Sequence, residues 1–111
     1  MKYLPLILLL FVSCRVKSDG YFWYYDIQLR SDHVEATYRL QDGSYKTERV
    51  FNGWIYGWGT ESNTTRYYIK LINKSQFGGN MLVRLIKVPY NSNDRDTVDI
   101  AADDVVVTLP R

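Results

Sequence analysis

A chain of 111 residues, 46% hydrophobic and 15% aromatic with ten Tyr and three Trp, has room for one folded domain and excludes a multidomain enzyme. Fourteen Lys and Arg stand against twelve Asp and Glu, a net charge of +2 with both signs interspersed, so there is no basic footprint for nucleic acid. The aromatic content also excludes a disordered composition.

The first segment is a leader. Lys2 precedes an apolar run from Leu4 to Val12, followed by the small Ser13 and then Cys14, the single cysteine. A run of about nine residues is far short of the ~20 needed to cross a bilayer, and Pro5 weakens it as a helix, so residues 1–13 read as a signal peptide. Leu10-Phe11-Val12-Ser13-Cys14 resembles the lipobox of bacterial lipoproteins, with Phe11 where Leu is usual. That resemblance implies acylation of Cys14, cleavage before it, and membrane lipid as a partner through the modified cysteine. Residues 14–20 then form a lipid-anchored tether, and Arg15 and Lys17 add weak attraction to anionic headgroups. Arg15 directly after the cysteine implies the outer membrane, facing the periplasm. The alternative is a plain secretory peptide cleaved near Ser13 and a secreted product, a setting in which Asn63-Thr64-Thr65 and Asn73-Lys74-Ser75 are glycosylation sequons.

From Tyr21 onward the hydrophobic period is two. Trp23, Tyr25, Ile27 and Leu29 alternate with Phe22, Tyr24, Asp26 and Gln28, which predicts a first strand with Trp23 and its set inward. Val34, Ala36, Tyr38 and Leu40 form the inward set of a second. Asp42-Gly43 predicts a two-residue turn, with Ser44 to Phe51 as the returning strand and a bulge that brings Val50 inward.

Asn52-Gly53 is the next turn, before an aromatic strand from Trp54 to Gly59. Thr64 to Ile72 predicts a strand with Tyr67, Ile69 and Leu71 inward, and Gly78-Gly79 falls in the following loop. Met81 to Val88, apolar almost throughout, predicts a central strand ended by Pro89. Thr97 to Ala101 and Val105 to Leu109 are the last two, separated by Asp103-Asp104. Seven to eight short strands without a helix predict an all-β antiparallel β-sandwich over residues 21–111, with a small β-barrel as the alternative.

A catalytic constellation is missing from this pattern. Cys14 is spent on the leader and His33, the only histidine, sits in a turn, so neither a Cys–His nucleophile pair nor a zinc site can be assembled. No serine lies in a nucleophile elbow. Asn91, Asn93, Asp94, Asp96 and Asp99 crowd oxygen ligands together but do not have the spacing of a calcium loop, and read as a solvated loop. No catalytic residue, metal ligand or cofactor is assigned.

Trp54, Tyr56 and Trp58 are the one surface-recognition candidate. Period two puts all three rings on one face, where they either form a stacking platform for a glycan or protein partner or fill the core. The platform reading uses Gly57 and Gly59 on the other face as points of close approach for another chain. The core reading moves any binding surface to the loops Glu61 to Asn63 and Tyr90 to Asp96.

The order Val34-Glu35-Ala36-Thr37-Tyr38, Asp42-Gly43, Tyr56-Gly57-Trp58, then Met81 to Val88 is similar to the extracytoplasmic β-sandwich of the small mycobacterial membrane proteins that accompany lipid exporters. That similarity implies a transport-accessory role. The expectation is a small non-enzymatic cell-envelope lipoprotein whose sandwich binds a protein or glycan near the membrane. The alternatives are a structural or accessory subunit of an envelope assembly, joined through the edge strand Val105 to Leu109, and a carboxylate-dependent hydrolase.

Overall fold

The computed structural model describes residues 20–111, and the leader, Cys14 and the tether before Gly20 lie outside the described residues. Eight strands follow in chain order: β1 (Tyr21–Leu29), β2 (Val34–Arg39), β3 (Tyr45–Val50), β4 (Ile55–Thr60), β5 (Ile69–Asn73), β6 (Met81–Pro89), β7 (Asp96–Asp103) and β8 (Val106–Leu109). All pairings are antiparallel. One sheet has the order β4-β1-β6-β7 and the other β3-β2-β5-β8, and the two stay open rather than closing into a barrel.

The core lies between the sheets and is built from the period-two sets. Trp23, Tyr25, Ile27 and Leu29 of β1 face Val34, Ala36 and Tyr38 of β2, with Ile69, Leu71, Met81, Val83, Leu85, Val107 and Leu109 filling the layer. Indole N–H groups need partners when they are taken from water. Trp23 Nε1 donates to Thr60 Oγ1 at 2.7 Å, Trp54 Nε1 to Glu48 Oε1 at 3.0 Å and Trp58 Nε1 to Thr65 Oγ1 at 3.0 Å. Tyr25 Oη donates to the Tyr68 carbonyl and accepts from the Tyr68 N–H, which staples the start of β5 to the opposite sheet.

The β2–β3 connection departs from the two-residue turn expected of Asp42-Gly43. Leu40 N donates to Ser44 O at 2.7 Å and Gly43 N to Leu40 O at 3.0 Å, so the loop is Gln41-Asp42-Gly43 with Gly43 at φ +92°. Three-residue hairpin loops of this form end in a left-handed residue, for which glycine carries no Cβ penalty. The extra loop residue pairs Ala36 with Glu48 and Val34 with Val50, which brings Val50 inward without a bulge within β3.

The other departures are at strand ends. The strand expected from Thr64 begins only at Ile69, because β8 stops opposite it at Leu109, where Pro110 has no N–H to continue the ladder. The seventh strand runs longer than Thr97 to Ala101, held from Asp96 to Asp103 by its pairing with β6.

Candidate functional site

The outward side of the β4-β1-β6-β7 sheet is apolar where a solvent face is normally polar. Antiparallel register puts Phe22 opposite Val88 and Tyr24 opposite Ile86 on this side, with Gly59 and Gly57 of β4 across from Phe22 and Tyr24. Ile86 is only 4% exposed although it is not part of the intersheet core. Phe22, Ile55 and Tyr90 remain 41%, 57% and 47% exposed around it.

Two glycines of β4 shape this surface. A Cβ on Gly57 would run into the Phe22 ring, and one on Gly59 into the Tyr90 hydroxyl, so the missing side chains let both aromatic side chains settle against the edge strand. The space expected to admit another chain at Gly57 and Gly59 is therefore filled by this chain's own aromatics. Tyr90 is held in place by its N–H, which donates to the Gly20 carbonyl at 3.0 Å. The result is an open cleft of about 500 Å³ walled by Phe22, Tyr24, Ile55, Val88, Pro89 and Tyr90, with Ser92, Asn93 and Arg95 of the following loop supplying its polar part. Further along the same face the Arg84 guanidinium is paired with the Asp26 carboxylate, which closes the apolar stripe with a neutralised pair.

The aromatic triplet of the sequence reading is turned the other way. Trp58 is 6% exposed in the core, and Trp54 and Tyr56 are half-buried against it. The rings continue into a ladder across the sandwich: Tyr25 to Trp58 at 5.1 Å between centroids, Tyr56 to Trp58 at 5.8 Å, Tyr38 to Tyr56 at 5.2 Å and Tyr38 to Trp54 at 4.8 Å. Such tilted and edge-to-face contacts add stability beyond their buried area. At the edge of the ladder Glu48 accepts from Tyr38 Oη and Trp54 Nε1 and pairs with Lys46 at 3.0 Å. Lys46 foremost, with the Tyr38 and Trp54 donors, holds the Glu48 carboxyl below its usual range. Burial first, and then Glu48, push the Tyr38 phenol up to about 12.

The remaining candidates are dispersed. His33 is exposed in the β1–β2 turn, where its backbone carbonyl accepts from Lys74 N. Asp99 is engaged by Tyr67 Oη at 3.0 Å, well away in role from the exposed loop that carries Asn91, Asn93 and Asp94. Among the described residues no group of His, Cys, Asp and Glu is arranged to hold a metal ion. The Asn73 amide is fully committed: Oδ1 accepts from Ser31 Oγ and Ser75 N, and Nδ2 donates to the carbonyls of Gly79 and Asp104. Its sequon is a structural clamp between three loops.

The cleft was only partly visible in the sequence. Phe22 and Tyr24 are assigned outward by alternation, and Tyr90 and its loop are named there as a fallback surface. That β6 would lie beside β1 and add Ile86 and Val88 to the same face depends on a pairing across some sixty residues that no local pattern announces. No protein-family model, curated protein or solved structure matches the chain, so the reading of this surface rests on its geometry.

Proposed function

We propose that the protein is a small non-enzymatic lipoprotein of the bacterial cell envelope, held by acylated Cys14, whose β-sandwich is a binding module working close to the membrane. Its binding surface is the outward cleft of Phe22, Tyr24, Ile55, Val88 and Tyr90. The observation that carries this reading is the position of that cleft. It lies at the end of the sandwich where the chain enters the fold, since Tyr90 is bonded to Gly20, six residues after Cys14. A contiguous exposed apolar patch on a domain of this size is a mark of interaction. The partly buried carboxylates support the non-enzymatic side of the reading, because Asp26, Glu48 and Asp99 are each held by a structural partner.

The outer membrane facing the periplasm is the location this reading takes, from Arg15 after the cysteine. The Asn73 clamp disfavours glycosylation at that sequon, because a glycan on Nδ2 would replace one of the two N–H groups that bind loop carbonyls. An accessory subunit joined through β8 is the second reading. Val105 and Val106 are exposed on that edge, but a four-residue strand followed by Pro110 is a poor template for sheet addition.

Fractionation tests the proposal. Wild-type protein expressed in a Gram-negative host should enter the detergent phase and sediment with outer membrane, and Cys14→Ala should abolish both. A freely soluble wild-type chain would overturn the proposal.

A further inference from the structure

Resting on that membrane-tethered reading, we infer that the occupant of the cleft is the phospholipid bilayer itself: Phe22, Ile55 and Tyr90 enter the headgroup boundary and the sandwich lies on this sheet face. The argument starts from reach. Six residue steps separate Cys14 from Gly20, and at ~3.3–3.6 Å each they span at most about 22 Å. Gly20 is bonded to Tyr90 in the wall of the cleft, so this end of the domain cannot stand further than that from the acylated cysteine. A folded partner about 30 Å across does not fit in such a gap, and the bilayer already occupies its far side.

The chemistry of the surface agrees. Tyr24 and Tyr90 combine an apolar ring with a hydroxyl, the side chain type that collects at membrane interfaces, beside the purely apolar Phe22, Ile55 and Val88. Arg95 stands at the edge of the cleft as the cation for a lipid phosphate, and Ser92 and Asn93 supply neutral polar groups. Arg95 in the cleft and Arg15 and Lys17 in the tether add a modest attraction to anionic lipid that salt weakens, and the larger part of the binding comes from apolar burial. Acylation and this face would act as two membrane signals on one small domain.

Vesicle sedimentation decides the matter. The protein is the chain from residue 14 carrying Cys14→Ser, which removes the acyl group and keeps every strand and core residue, all of which lie between Tyr21 and Leu109. The probe is unilamellar vesicles of phosphatidylethanolamine and phosphatidylglycerol. Wild-type sequence should partition measurably, and Ile55→Asp and Tyr90→Asp should each lower the partition coefficient about tenfold. Phe77→Asp serves as the control, because Phe77 is 88% exposed in the loop before β6, at the opposite end of the sandwich. It should change partition less than about twofold, the range of a residue outside the contact.

Melting curves establish that each variant is folded, and either cleft variant suffices. The inference is overturned if the acyl-free chain does not sediment with vesicles, or if Phe77→Asp loses as much as Ile55→Asp. It is also overturned if Ile55→Asp instead splits a dimer in solution, which would make a second copy the occupant. None of these results bears on acylation of Cys14, which fractionation of the lipidated protein reads separately.

Discussion

The Phe22 ring lies over Gly57 of the neighbouring strand, at the place a Cβ would occupy. That relationship builds one wall of the outward cleft and couples two positions 35 residues apart in sequence. Gly57→Ala should cost about 1–2 kcal/mol, the usual penalty for forcing a packed ring aside. In a Phe22→Ala background the same change should cost less than half as much, because alanine is otherwise preferred to glycine within a strand. Denaturant unfolding of the four-member cycle measures the coupling, and equal costs in the two backgrounds would show that the ring and the glycine are independent.

The aromatic triplet divides by burial. Trp58→Ala, which empties a buried site against Tyr25, should cost ~3–5 kcal/mol and threaten folding. Trp54→Ala should cost less, roughly 1–3 kcal/mol, from a half-buried ring and one hydrogen bond to Glu48. Neither substitution should alter vesicle binding once corrected for folding, since both rings point away from the cleft. A stable, fully folded Trp58→Ala protein would return this ring to the surface.

Alkaline stability follows from two phenols. Burial raises Tyr25 far above its ordinary value of 10.0, and Tyr38 is pushed up to about 12 by burial and by Glu48. Both hold their protons longer in the folded chain than in the unfolded one, so their contribution is complete below about pH 10 and is lost as the pH rises above it. Urea midpoints should therefore be level from neutral pH up to that point and fall beyond it. Tyr38→Phe should shallow the fall, and a midpoint unchanged up to about pH 12 would contradict the assignment.

How far the sequence could be read depended on whether each feature was local. The inward sets of β1 and β2 follow from alternation alone, and every inward residue named for β1 is buried. The Asp42-Gly43 turn is in the right place with the wrong count, because a two-residue and a three-residue loop share the same Gly signal and differ only in whether Gln41 belongs to the strand. The continuous apolar run of β6 announces a central strand, yet it also means that β6 has an apolar outer side, and this is half of the cleft. The other half, Phe22 and Tyr24, reads as the solvent face of an amphipathic strand until β1 and β6 are seen side by side.

The central claim is a binding sandwich held at the membrane by lipid on Cys14, and the mass of the N-terminal peptide tests it most directly. The protein extracted with detergent from membranes of a Gram-negative host should yield a peptide beginning at Cys14, heavier than its sequence by a diacylglyceryl group and an amide-linked acyl chain. A peptide that begins at Cys14 or at any other residue without added lipid mass would contradict the account.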